Sequence, residues 1–251
     1  MKIALDAMGG DFAPEAAVHG ALKALKADTS LELYLVGNES LIEEFLPAAH
    51  PEHVHLIPTT QVVSMQDKGS RVLKDKPDSS LVRGIELLRD GVVDAFVSAG
   101  HTGAVLTSAT LLLGRIKGAK RPALGAYIPT DTGGKMLCDV GANPDANPRQ
   151  LLQFAIMASM YLDHVEGIKD IKIGLINIGA EPTKGSKMYL ETFDLLKKEL
   201  PNFIGNVESR NLFDCEANVL VCDGFVGNTL IKFAEGWIST FSNMIKHKIK
   251  N

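Results

Sequence analysis

Lys184 closes a turn, Asn177-Ile178-Gly179-Ala180-Glu181-Pro182-Thr183-Lys184-Gly185, that follows an apolar run and precedes a helical pattern. A cation beside the free N–H groups of a helix start can hold a phosphate or a carboxylate. The spacing is not that of a nucleotide-triphosphate loop: that motif's first Gly is missing, and Gly185 follows the lysine where Ser or Thr is needed. Ser98-Ala99-Gly100-His101-Thr102-Gly103 offers a second anion-type turn, with two hydroxyls and two glycines at a helix start. Gly9-Gly10, between Asp6 and Asp11 and ahead of Pro14, makes a third, without the G-x-G-x-x-G spacing of a dinucleotide site. His101 can donate a hydrogen bond, shuttle a proton or cap the helix that follows. The alternatives are a solvated lysine at 184 and an ordinary strand-to-helix turn, capped by Thr102, at 98–103. Together these groups read as an enzyme for a phosphate-bearing or carboxylate-bearing substrate.

Positioning such turns needs a scaffold that ends many strands at one edge. Seven short apolar runs stop in turns built from Gly with Asp, Asn or Ser: after residues 5, 36, 97, 138, 176, 204 and 221. The pattern predicts β(2–6), α(14–26), β(31–36), α(39–46), β(54–57), α(79–90), β(93–98) and α(102–113). It continues β(123–128), β(135–140), α(148–164), β(171–177), α(185–199), β(202–207), β(217–222) and α(226–249). Strand–helix alternation argues for an α/β fold: one open, mostly parallel mixed sheet with helices on both faces. Only 123–128 and 135–140 lack a helix between them, which suits an antiparallel hairpin through Pro129–Gly134. Ligands of such sheets bind outside the carboxyl ends of the strands. The chain reads as a single catalytic domain, residues 1–251, or two intimate lobes meeting near this hairpin.

The 251 residues are 45% hydrophobic and 22% charged, an ordinary soluble composition. A net charge of −4 gives no basis for nucleic-acid binding. No apolar run is long enough to span a bilayer, and the strand-like N-terminus is not a signal peptide. Cys138, Cys215 and Cys222 have no metal spacing and read as small buried hydrophobes in a reducing cytoplasm. His50, His53 and His55 lack further ligands and read as an ordinary strand. Residues 61–80, crowded by Lys68, Arg71, Lys74 and Lys76, read as a long functional or solvated loop. At the end of the chain, Trp237, Phe241, Met244 and Ile245 share a helix face, with Lys246, Lys248 and Lys250 after them. That is either a core-packing helix or a basic amphipathic surface.

Taken in order, DAMGGD, SAGHTGA, DVGAN, NIGAEPTKG, GNVE and CDGFVGN resemble the bacterial acyl-acyl-carrier-protein:phosphate acyltransferase family of phospholipid synthesis. SRVLKDKPDSSLVRGIEL fits the same family, and the resemblance runs from Met1 to about Glu235. His101 and Phe12 stand where the family usually has Asn and often has His. The resemblance implies reversible transfer of a fatty acyl group from acyl-acyl-carrier protein to inorganic phosphate; because phosphate and thioester are already reactive, no cofactor and no metal are expected. The acyl phosphate would feed the membrane acyltransferase of the next step. A fold akin to phosphotransacetylase and isopropylmalate dehydrogenase is implied, as are a homodimer and a cytoplasmic protein in peripheral contact with anionic membrane. Family members continue past residue 251, so the chain is expected to be truncated relative to them.

Phosphate is already a dianionic nucleophile and a thioester an activated donor, so the expected work is positioning and oxyanion stabilisation, worth roughly 3–4 kcal/mol per good donor. The expected phosphate cradle is the backbone of Gly9–Gly10 and Gly100–Gly103, with Ser98, Thr102, Gly179 and Gly227 in the binding turns and Lys184 as charge partner. Asn143, Asn177, Asn206 and Asn228 are neutral donors to phosphate or carbonyl oxygen. Lys184, Asn228 and His101 are the expected catalytic residues. Asp6, Asp11, Asp139 and Asp223 would repel a dianion and are assigned to turn architecture. Lys117, Lys120 and Arg121 are the expected docking patch for an acidic carrier protein, with the 68–76 loop a second candidate. An acyl-CoA:phosphate transferase and a non-catalytic acyl-carrier sensor or membrane scaffold are the rival readings.

Overall fold

In the computed structural model, which describes residues 1–130 and 133–250, the chain forms two compact units, Met1–Ile116 and Lys117–Asn251. The first contains β1 (Lys2–Asp6), α1 (Glu15–Ala27), β2 (Glu32–Gly37), α2 (Glu39–Glu43) and β3 (Val54–Pro58). A 3-10 turn (Gly69–Arg71), α3 (Val72–Asp75), α4 (Ser80–Arg89), β4 (Ala95–Val97) and α5 (Thr102–Leu112) complete it. Its sheet runs β3-β2-β1-β4, parallel throughout. All four strands therefore end at the same edge, where the 6–11 and 98–103 turns emerge from neighbours.

Period-two alternation of apolar side chains gives this sheet two covered faces. Leu33 and Leu35 pack with Val18, Ala21 and Leu25 of α1 and Ile42 of α2. On the other face, Leu81, Val82 and Ile85 of α4 join Val72 and Ala104.

The second unit contains β5 (Gly125–Thr130), β6 (Gly133–Cys138), α6 (Pro148–His164), β7 (Ile173–Asn177), α7 (Lys187–Glu199), β8 (Phe203–Glu208), β9 (Val219–Val221) and α8 (Gly224–Lys250). Its sheet runs β5-β6-β9-β7-β8, with β5 and β6 antiparallel and every other pair parallel. The expected hairpin is thus present, while Asp131 and Thr132 of its turn lie outside the described residues, as does Asn251. Leu151, Phe154, Ala155, Ala158 and Leu162 of α6 and Tyr189, Phe193 and Leu196 of α7 cover one face, over Met136, Ile173, Leu175, Val219 and Val221. Leu137, Ile176 and Leu220 point the other way, toward Leu230 and Ile231 of α8. Pro148 at the first position and an Asn147–Gln150 capping box fix where α6 begins.

The mixed, mostly parallel α/β class holds, with one correction: the strands form two sheets where one was expected. Alternation along a chain does not say which strand pairs with which. β4 has only three residues and pairs with β1 alone, so the first sheet ends there. Residues 61–80, read as a loop, hold the 3-10 turn, α3 and the start of α4.

Candidate active site

In the first unit the two turns interlock. Ser98 Oγ donates to Asp6 Oδ2 (2.7 Å), Gly100 N–H donates to Ser98 Oγ (3.0 Å), and Met8 N–H donates to Asp6 Oδ1 (3.2 Å). A side chain at Gly9 would fall 2.9 Å from the Gly100 nitrogen, so close passage of the two turns requires glycine there. Gly10 lies against Ala99. His101 is the N-cap of α5: Ala104 N–H donates to its Nδ1 (3.3 Å), and its Nε2 lies 3.0 Å from the Asp67 carbonyl. An acceptor at Nδ1 and a donor at Nε2 satisfy both contacts, so both ring nitrogens are engaged in structure. Thr102 and Gly103 start the helix and are exposed residues.

The contact to Asp67 ties α5 to the 61–80 segment, which is braced internally. Asp67 Oδ2 accepts from Ser64 N–H (2.6 Å) and from the Lys76 ammonium (2.6 Å), which also donates to the Val62 carbonyl (2.7 Å). Chiefly because of Lys76, the Asp67 carboxyl is held down to about 2.

In the second unit the strand-end turns are built by Asp and Asn. Asp139, fully buried, accepts from the N–H groups of Leu124, Gly141, Ala142 and Asn143 and from the Asn143 side chain. Asn143 donates its other side-chain hydrogen to the Pro122 carbonyl (2.9 Å), which leaves no side-chain donor for a ligand. Asp223 receives Tyr189 Oη–H (2.7 Å) and Val226 N–H (2.9 Å) at the start of α8. Gly227 packs on the Asp139 carbonyl with no room for a side chain. Asn228, next to it, lies beside Gly141 and is exposed; among the described residues nothing hydrogen-bonds its amide.

The loop after β7 is held by two amides. Asn177 donates to the Lys184 carbonyl (3.0 Å) and to Asn206 Oδ1 (3.2 Å), and Asn206 donates to the Glu181 carbonyl (2.9 Å). Asn177 Oδ1 accepts from Ile178 N–H (2.8 Å). Gly179 lies under the Lys184 stem and beside the Glu181 carboxylate. Lys184 itself is exposed, and among the described residues nothing pairs with its ammonium. Beyond it, α7 starts at Ser186 with no side-chain cap and no acid in the first turn. A helix start of that kind leaves its N–H groups, and the positive end of its dipole, for an anion.

A cleft of about 320 Å³ adjoins this loop, lined by Ile176, Asn177, Ile178, Gly185, Ser186, Tyr189, Ser209, Val226 and Leu230. A larger apolar cleft, about 790 Å³, is lined by Leu22, Leu25, Phe45, Leu46 and Pro47. It lies at the amino-terminal edge of the first sheet, away from the turns.

The expected site residues thus fall into two groups. Gly9, Gly10, Ser98, Gly100, His101, Thr102 and Gly103 come together in the first unit; Asn143, Asn177, Gly179, Lys184, Asn206, Gly227 and Asn228 belong to the second. Lys117, Lys120 and Arg121 are exposed on a segment pinned by Gln153, which accepts from Lys120 N–H and donates to the Gly118 carbonyl.

A model of a protein family described as "Fatty acid synthesis protein" matches residues 1–251. The chain belongs to that family. It is 47% identical over 251 residues to a phosphate acyltransferase of Desulfitobacterium hafniense, spanning 99% of this chain and 75% of that one. A phosphate acyltransferase of Brevibacillus brevis is 45% identical over 249 residues, spanning 99% and 74%. In fold, the chain is similar to the phosphotransacetylase EutD of Staphylococcus aureus, with a TM-score of 0.63, 16% identity, and 95% and 82% of the two chains covered. A branched-chain phosphotransacylase of Enterococcus faecalis gives 0.57 at 16% identity, covering 92% and 83%.

For a member of this family, the cysteines are as telling as the turns. Burial, aided by the Asp139 charge, pushes the Cys138 thiol up to about 12, and burial raises Cys222 well above the usual thiol range. Neither offers a thiolate nucleophile at neutral pH. Two residues escaped the sequence reading. Lys135, in β6, is buried and donates to the carbonyls of Cys215 (2.5 Å) and Ala217 (2.8 Å); only its place in a strand of apolar neighbours hinted at this. Tyr189 gave no signal at all, because its Asp223 partner lies 34 positions away.

Proposed function

We propose that this chain transfers a fatty acyl group, reversibly, from acyl-acyl-carrier protein to inorganic phosphate, and that Lys184 holds the phosphate. The observation that carries the reading is the unpaired Lys184 ammonium on a loop fixed by Asn177 and Asn206, beside the uncapped start of α7. Acyl transfer to phosphate is the activity for which the relatives at 47% and 45% identity are named. In the reaction a phosphate oxygen attacks the thioester carbonyl, the new C–O bond forms, and the C–S bond breaks to release the carrier thiolate, which takes up a proton. Lys184, the Ser186 hydroxyl and the first N–H groups of α7 neutralise the dianion without consuming its lone pair. Asn228 is the proposed donor to the carbonyl oxygen as it becomes an oxyanion.

Asn143, Asn177 and Gly227 act as positioning residues, since their polar or packing capacity is already used; Asn206 braces the loop through Asn177 and Glu181 and keeps one amide hydrogen. His101 is likewise a positioning residue: its ring caps α5 and meets the Asp67 carbonyl. Lys117, Lys120 and Arg121 would dock the acidic carrier, with salt-sensitive binding. The uncovered apolar stripe of α8 supports a homodimer in peripheral contact with anionic membrane; no described helix is long and apolar enough to cross one. The test is acyl phosphate formation by purified protein from phosphate and palmitoyl-acyl-carrier protein, beside palmitoyl-CoA. Preference for CoA would reassign the donor, and no acyl phosphate from either would sink the reading.

A further inference from the structure

The cleft of about 320 Å³ takes Gly185 and Ser186, the two residues after Lys184, into a lining that is otherwise mostly apolar. Ile176, Ile178, Val226 and Leu230 make most of its lining apolar, while Gly185 and Ser186, which lead from Lys184 into α7, bring the α7 start into the same lining. Ile178 is 81% exposed and Phe225, next to Val226, is 69% exposed, so two large apolar side chains face water on the edge where the anion-type turns emerge. Gly185 has φ +104°, and a side chain there would fall 2.8 Å from both the Tyr189 Cβ and the Asn177 Oδ1, so this lining position requires glycine. The volume lies at the lower bound of small-molecule sites, which are mostly apolar with a few convergent polar groups.

We infer that this cleft holds the aliphatic chain of the acyl donor next to its carbonyl, and that Ile178, Val226 and Leu230 set the chain-length preference. The inference rests on the acyl-transfer reading and extends it: an acyl phosphate is an anion joined to a hydrocarbon, which matches a cationic, N–H-rich end joined to an apolar trough. Asn177 lines the cleft but touches no ligand, because its amide is spent on Lys184 and Asn206.

Two variants probe it. Leu230→Phe narrows the trough from the α8 side; Ile178→Asn removes apolar surface at an exposed position that the core does not use. The readout is the ratio of kcat/KM for palmitoyl and butyryl donors, together with the Kd of a fluorescent polyene fatty acid. Each methylene displaced from an apolar cleft weakens binding roughly fourfold. The palmitoyl-to-butyryl ratio should therefore fall about tenfold in Leu230→Phe and severalfold in Ile178→Asn, with fatty-acid affinity falling in parallel. If Leu230→Phe fails to fold, Ile178→Asn alone decides. Unchanged ratio and unchanged fatty-acid affinity overturn the cleft assignment. A wild type that forms no acyl phosphate, yet binds the fatty acid in a manner these variants weaken, overturns the acyl-transfer reading and leaves the cleft standing.

Discussion

At Lys184 the backbone and the head group have different fates: Asn177 grips the carbonyl, while the ammonium stays free in solvent. A charge-assisted contact to a phosphate dianion should contribute roughly 1.5–3 kcal/mol, one to two decades in rate. Lys184→Ala is therefore expected to lower kcat/KM for phosphate by about 10–100-fold with little change in thermal midpoint, checked by initial rates across phosphate concentration. Full phosphate-dependent turnover in that variant would make it a surface lysine. A buried lysine behaves oppositely. Lys135 satisfies the Cys215 and Ala217 carbonyls ahead of β9, and Lys135→Met leaves both without a donor. Each unsatisfied carbonyl costs roughly 1–3 kcal/mol, so denaturant unfolding should show a large loss of stability with no specific effect on KM for phosphate.

At the scale of the element, the 61–80 segment is a brace carried by one carboxylate. Asp67 holds Ser64 and Lys76 through its side chain and His101 through its carbonyl. Its folded value, about 2, lies below the ordinary 3.8, so its contribution is complete above the ordinary value and disappears as pH falls through about 2. The thermal-midpoint difference between wild type and Asp67→Asn should accordingly be constant above pH 5 and vanish near pH 2; a pH-independent difference would assign the effect to packing. This brace was illegible in the sequence because its charges sit nine residues apart in a stretch without periodicity. The β5–β6 hairpin was legible, since two apolar runs with no room for a helix between them have few other options. The asparagines were half legible. Their places at strand ends follow from the turns, but that Asn143 faces Asp139 and Pro122 rather than a ligand depends on contacts no local pattern encodes. Strand partnership is non-local in the same way, which is why one sheet was expected and two are found.

For the molecule as a whole, α8 carries an uncovered apolar stripe. Trp237 and Phe241 stack with ring centres 6.1 Å apart, yet are 58% and 51% exposed, and Met244 and Ile245 continue the stripe. Phe241→Asp combined with Ile245→Asp should reduce sedimentation with anionic vesicles or lower the solution mass toward a monomer; no change in either would make the stripe a passive surface. The two separate cores have a thermodynamic consequence. Each unit buries its own sheet between its own helices, so cooperativity need not extend over all 251 residues. Calorimetry should resolve two heat-absorption peaks, and a ligand that binds only the Lys184 side should raise one of them. A single peak displaced as a unit by that ligand would mean the halves melt together. If the peaks separate, a destabilising substitution in one half leaves the other folded, and loss of activity in such a variant is not evidence about the chemistry of the site.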